Sequence, residues 1–182
     1  MKKVILLIFA AASIFAQTQQ TQTQSQQPIQ LKVGYVDSEI ILAQFPEAIK
    51  AKSDLEALVS QWRKQADSMA TELQNAYADY QKQAQTMTQE KQREAQQKII
   101  EKEQRLQQFR EQKFSQPNGE YFVKQDQLMA PVKQKIFKAI ESVAKEEGMH
   151  YVLDKAGEVV VLYADPSFDI TFKVLDRLKR GK

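Results

Sequence analysis

From Leu55 onward, apolar side chains recur in two interleaved rows. Leu55, Trp62, Met69 and Ala76 fall seven residues apart, and Val59, Ala66, Leu73, Tyr80 and Met87 form a second row based on the same spacing. Steps alternating between four and three define a coiled-coil seam. Gln, Lys, Arg, Asp and Glu fill the positions between, as a solvated helix face requires. The seam loses definition around Thr86-Met87-Thr88-Gln89, where Thr86 and Gln89 read as a capping box, so the pattern predicts the tip of a helical hairpin near 84–91. Ala95, Ile99, Leu106 and Phe109 carry a sparser stripe back. A helix this polar buries too little to be stable alone, but folded against a partner it can persist. The outgoing arm, about 38 residues, reaches roughly 55 Å at a rise of ~1.5 Å per residue.

The returning arm is interrupted. Residues 115–120, between Phe114 and Tyr121, contain Pro117 and the Asn118-Gly119 pair, and no regular helix is expected through them. Periodicity resumes with Phe122, Met129, Ile136 and Val143, accompanied by Val132, Ala139 and Ile140. Pro131 inside this run predicts a kink or a restart, and Gly148 a C-terminal cap.

Shorter elements flank the hairpin. Lys32 to Asp37 reads as a strand, Asp37 and Ser38 cap a helical turn through Ile40, Ile41 and Leu42, and Pro46 starts a new helix. Beyond Gly148, Tyr151-Val152-Leu153 and Val159 to Tyr163 read as two further strands joined by a hairpin loop at Asp154 to Gly157. Asp165-Pro166 turns the chain into an amphipathic helix from Thr171 to Leu178, with Asp169 as its N-cap. An excursion that leaves and re-enters at one place predicts antiparallel pairing throughout this small sheet. The run Val159 to Leu162 has no polar alternate, so both of its faces want burial. Three short strands and two small helices are a poor core. Several copies pooling their sheets, with Val159 and Val161 in the shared body, would cure that. The predicted fold is α+β and mostly α, a long coiled-coil hairpin projecting from a three-stranded antiparallel body. The body takes 31–46 and 149–182, and the arm 47–148.

The N-terminus is of a different kind. Lys2 and Lys3 precede an apolar run from Val4 to Ala12, and small residues lead to a cleavage point after Ala16. This is the layout of a secretory signal peptide, too short for the ~20 residues of a membrane span. Ile14 is large for the −3 position, which leaves the exact bond open. Residues 17–30 form a Gln/Thr/Ser tract ending near Pro28, too polar to offset its ordering entropy and therefore expected to be disordered. The chain has no cysteine, which removes disulfides, thiolate metal sites and a lipid-anchored cysteine. Loss of Lys2 and Lys3 takes 26 basic side chains to 24 against 23 acidic ones, without the charge excess of a nucleic-acid binder. A released, soluble, membrane-free mature protein is expected.

Catalytic chemistry finds no foothold. His150 is the one histidine and has no triad or metal partners around it, the carboxylates are dispersed on solvated faces, and 5 glycines build no phosphate loop. No catalytic, cofactor-binding or metal-ligating residue is predicted, and no enzyme. Trp62 lies on a heptad row and reads as packing near the hairpin base; Met69 and Met129 read as helix core. Tyr77 lies off the strict rows and Met87 at the tip, so these two are the candidate contacts for a bound partner, although arm packing accounts for Tyr77 as well.

The order of elements resembles the Skp/OmpH family of periplasmic chaperones. The match is carried by Val33-Gly34-Tyr35-Val36-Asp37 with Pro46 downstream, then Ala130-Pro131-Val132 through Ile136, Ala139-Ile140 and Val143-Ala144. It continues through Tyr151-Val152-Leu153-Asp154 to Asp169-Ile170-Thr171 and Val174-Leu175, and covers roughly residues 32 to 179. The Pro117-Asn118-Gly119 step is similar to that of Bacteroidetes-type members. The resemblance implies a jellyfish-shaped homotrimer in the periplasm whose arms hold unfolded outer-membrane β-barrel proteins without ATP, cofactor or nucleic acid. The relatives' basic charge is missing here, so no residue is assigned to lipopolysaccharide, and transient membrane or lipid contact stays open. The competing expectation is a structural coiled-coil adaptor of the envelope. The hairpins of efflux-type bridges are set in larger β domains, for which this chain has no room.

Overall fold

Asp37 decides where the body ends and the helices begin. The computed structural model describes residues 30–158 and 160–181; the expected signal peptide, all of the linker but Gln30, and Val159 lie outside the described residues. Strand β1 (Val33–Val36) stops at Asp37, whose carboxylate accepts from the Ile40 N–H at 3.0 Å and so starts helix α1 (Ser38–Gln44). Pro46 then occupies the first position of α2 (Pro46–Gln83), where its missing N–H costs nothing. This helix is 38 residues long without a break. Its partner α3 (Gln89–Phe114) returns along the seam, burying Ile99 and Leu106 against the rows that begin at Leu55, Trp62 and Ala66. The register is set by facing pairs: Tyr80 with Gln96, Glu72 with Lys102, and Trp62 with Phe114.

The tip differs in one detail from the expected capping box. Thr88, not Thr86, caps α3, accepting from the Lys91 N–H, while Thr86 donates its hydroxyl to the Gln83 carbonyl. The Gln92 amide reaches back to the Ala84 carbonyl at 2.6 Å and closes the turn. Past the turn at Ser115 to Gly119, helix α4 (Glu120–Glu146) runs through Pro131 without restarting. Proline removes one N–H bond and crowds the preceding turn, but Gln127 and Pro131 both lie on the exposed face, where water takes the freed carbonyl.

The core gathers Val36, Ile41 and Phe45 with Ala48 and Ala51 of α2, Val132, Ile136, Ala139 and Val143 of α4, and Ile170, Val174 and Leu175. The last group comes from the start of α5 (Thr171–Arg180), which follows a single 3-10 turn at Pro166–Phe168. Helix α4 crosses the whole core before Gly148, at φ +64, turns the chain, and this overturns the expected antiparallel sheet. The His150 N–H donates to the Lys32 carbonyl, so strand β2 (Tyr151–Asp154) begins beside the start of β1 rather than its end. The two strands are parallel, with Val33 opposite Tyr151 and Val36 opposite Asp154. The helical excursion has become the crossover that a parallel pair needs. Gly34 lets Met149 approach the strand, since a Cβ would stand 2.7 Å from its sulfur and force that side chain to move.

The third strand is also corrected. The other edge of β1 is taken by a bridge from Tyr35 to Asp169, and the Ile170 N–H donates to the Tyr35 carbonyl at 3.0 Å. Residues 160–163 have no strand pairing, and Val160, Leu162 and Tyr163 are 81%, 93% and 83% exposed. A strand apolar on both faces needs two covering layers, and one protomer supplies neither. The sheet of the described chain is two-stranded.

The N-cap of α5 is Ile170 and not the expected Asp169, which sits one residue earlier with its carboxylate accepting from the Thr171 N–H at 2.8 Å. The buried Thr171 hydroxyl in turn accepts from the Asp37 N–H at 2.9 Å, tying α5 to the point where α1 begins. Ile41 sits at the centre of these contacts and is fully buried. Ile41→Ala is expected to lower stability by about 2–5 kcal/mol with an unchanged denaturant slope, measured by urea unfolding at fixed protein concentration. A loss well under about 1 kcal/mol would place Ile41 outside the cooperative core.

Candidate functional site

Three surfaces of the chain offer more than ordinary solvated helix. The first is the distal arm. Its seam residues are satisfied within the chain, and what remains outward is polar, with a few apolar exceptions. Tyr77 is 43% exposed on α2, off the seam, and Met87 is half-buried in the turn between α2 and α3. The two sit toward the tip, far along the chain from Val161, which is half-buried in the unpaired run of the body. Val159 lies outside the described residues.

The second is a joint where the returning arm steps from α3 to α4. Trp62 meets Phe114 edge-on, with ring centroids 6.1 Å apart. The Lys113 ammonium lies 5.3 Å from the Trp62 ring centre and 5.5 Å from that of Phe109, and pairs with Glu120 at the first turn of α4. A cation held between two ring faces and an acid at a helix N-terminus are both favourable placements. Gly119 closes the turn so tightly that a Cβ would fall 2.6 Å from the Ser115 carbonyl oxygen. Trp62 therefore packs partway up α2 at this joint, as the lock between the two segments of the returning arm.

Below the joint a groove of about 1330 Å³ opens between α1, the first half of α2 and the first turns of α4. Leu42, Ile49, Val59, Phe122 and Met129 supply apolar surface, and Ile49 is 50% exposed. The heptad rows placed Phe122 and Met129 in the helix core. The missed signal was Ile49, an apolar residue off both rows just before the seam begins, which belongs to a surface other than the seam.

The third surface is the outer face of the sheet. Val33, Tyr151 and Leu153 point away from the helices and are exposed, as are Val160, Leu162 and Tyr163 of the unpaired run. Tyr35 on the same face is covered; burial, then Asp169 and Asp165, push its phenol above the ordinary 10.0. Apolar residues this concentrated on one side mark an interaction surface. His150 serves the sheet, its Nδ1 accepting from the Lys32 N–H at 3.1 Å. Among the described residues no three of His, Asp and Glu converge as a metal site requires, and no helix is long and apolar enough to cross a membrane.

The sequence matches the family described as outer membrane protein (OmpH-like) over residues 32–178. A crystal structure from Caulobacter crescentus CB15, described as that of an OmpH-like candidate outer membrane chaperone, is similar in fold, with a TM-score of 0.71 at 17% identity. The similarity covers 86% of this chain and 88% of that one. Among curated proteins no match is found.

Electrostatics of the arm can be checked directly. The Lys102 hydrogen bond, and then its charge, hold the Glu72 carboxyl below the ordinary 4.5. A carboxyl depressed in the folded arm stabilises it above the unfolded value, and that contribution is lost as the pH falls through the folded value. Helicity near the melting midpoint should therefore fall between about pH 5 and about pH 3, and Lys102→Met should flatten part of that slope in circular dichroism. An identical slope in the variant would show the pair to be idle.

Proposed function

The chain belongs to the OmpH-like outer membrane protein family, and on that premise we propose that it is an ATP-independent periplasmic holdase, a chaperone for unfolded outer-membrane β-barrel proteins. The observation that carries this reading is the arm itself. A long hairpin whose seam is satisfied internally, and whose outer surface is polar with Tyr77 exposed and Met87 half-buried at its tip, offers many weak contacts along its length. It can hold a sticky chain through many weak contacts and release it without an energy source. Tyr77 and Met87 are proposed among those contacts. Single contacts of this kind must stay weak, because a client buried too well would not be released.

Enclosure requires more than one arm, and the body supplies the means. The exposed apolar face at Val33, Tyr151 and Leu153, with the unpaired 160–163 run, is what a protomer would bury against copies of itself; Val159 and Val161 are proposed in that contact, in a homotrimer. Export through the 1–16 signal peptide would deliver the chain to the compartment where such clients cross.

Val161→Asp tests the assembly. Val161 is only half-buried in the protomer, so the protomer should keep its helicity, while the assembled body would enclose an unpaired carboxylate. Loss of the oligomer on analytical ultracentrifugation is expected, and an unchanged sedimentation profile would refute a buried role for this run.

Arm length tests the holding. Residues 70–83 face residues 92–105, as the Glu72–Lys102 and Tyr80–Gln96 pairs show, so deleting both segments removes matched heptads and keeps the turn. The shortened protein should hold a small barrel nearly as before and a large one distinctly less well, read as light scattering of the diluted, unfolded clients. Tyr77→Ala alone should change either by less than about twofold, because weak contacts are spread over many residues. Equal weakening for both clients, or none, would point to surface adhesion or to a structural adaptor instead.

A further inference from the structure

The groove below the joint is not needed to build the arm, and it is too large for a metabolite. Small-molecule pockets take roughly 300–1,000 Å³, whereas this one is about 1330 Å³ and open along its length. Its lining follows α2 from Ala48 to Asp67, a distance of about 28 Å at the helical rise of ~1.5 Å per residue. An extended chain covers that length in about 8–9 residues, close to the ~9–11 residues of one membrane-spanning β-strand.

Resting on the holdase reading, we propose that this groove seats one extended, amphipathic strand of an unfolded outer-membrane protein. The lining offers both kinds of surface that such a strand carries. Leu42, Ile49, Val59, Phe122 and Met129 offer apolar surface to one set of alternating side chains, and Met129 can adapt to different shapes. Lys52, Arg63 and Lys64 stand with Glu39, Glu56 and Asp67, and none of the six belongs to an ion pair of the described residues. Three charges of each sign cancel, so the groove has no field to draw a polyanion such as nucleic acid. They leave donors and acceptors of both kinds for the polar alternates and the open backbone of a strand. The arms then confine the rest of the client while the groove registers one strand at a time.

The test uses the full mature protein in its assembled form. A photo-crosslinking benzoylphenylalanine is placed at Ser60, on the groove rim, or at Gln107, on the exposed face of α3. Each protein is irradiated with a urea-unfolded eight-stranded outer-membrane barrel as the probe. The Ser60 position should give about tenfold more client adduct than Gln107, and Ile49→Asp, which sets a carboxylate against the apolar side of the strand, should remove most of it. Ile49 is half-exposed, so circular dichroism and sedimentation of that variant should be unchanged. Equal yields at the two positions, or an Ile49→Asp variant that cross-links as before, would overturn the groove. Adducts between two copies of the chain at Ser60, with client absent, would also overturn it and assign the groove to the oligomer interface. In each of these cases the holdase reading survives if the unmodified protein still suppresses client aggregation. Failure of that suppression removes both.

Discussion

The packing of α4 through the body is the contact on which the rest of this structure depends. Val132, Ile136, Ala139 and Val143 lie on one stripe and pack on the root of α2 and on α5, in the core that Ile41 of α1 also joins. Small residues at Ala48, Ala51 and Ala139 let the outgoing and returning helices approach closely at their base. Without that stripe the arm would have only one root, and a hairpin held solely at its own seam is marginal. The same stripe fixes where β2 begins, because the helix cannot end until its last core residue has passed. Strand order, the Gly148 turn and the close approach of Met149 to Gly34 all follow from it.

Much of the arm was legible because helix periodicity is a local property. The two rows from Leu55 to Tyr80 correspond to buried and half-buried positions of α2, and Asp37 and Pro46 mark helix starts as their chemistry requires. The capping box at the tip misled because Thr86 and Thr88 are near-equivalent in sequence, and only the reach of Gln92 back to Ala84 selects between them. Strand direction was illegible for a deeper reason. Whether a returning helix stops short of a sheet or runs past it depends on how many of its turns the core absorbs, and the sequence pattern is the same in both cases. The Val159 to Tyr163 run reads as doubly apolar in the sequence, yet its described residues 160–163 pair with no strand of the chain, and period alone does not say whether a partner exists. Ile49 lies before the seam and off both rows, and the groove is formed by α1, α2 and α4 together, so no single helix's period reveals it.

Stability is distributed unevenly along the molecule, and this bears on how it would work. Fully buried side chains such as Ile41, Ile170 and Val174 are confined to the body, whereas beyond Ala66 the seam residues of α2 are at best half-buried. The distal arm is held by a thin seam, a few hydrogen bonds and exposed ion pairs such as Glu72 with Lys102, each worth little in water. Local opening is governed by this kind of gradient, with the least-packed segments yielding first. An arm of that construction can adjust to a client without loosening the body that holds it.

The joint at Trp62 divides these two regimes. Below it, α2 and α4 share the body's core; above it, α2 and α3 share only their seam. The Lys113 ammonium, set between the Trp62 and Phe109 rings and paired with Glu120, ties the end of α3 to the start of α4 across the turn. That contact is stronger than a solvated ion pair because the ammonium is largely withdrawn from water, and an uncompensated charge there would be costly. The joint thus marks where packing passes from the body's core to the arm's seam. Most of the groove's lining lies on the body side of this boundary, reaching past it only at Arg63, Lys64 and Asp67, whereas Tyr77 and Met87 lie on the arm side. The proposed strand seat therefore borders the well-packed body, and the proposed client contacts at Tyr77 and Met87 belong to the thinly packed arm.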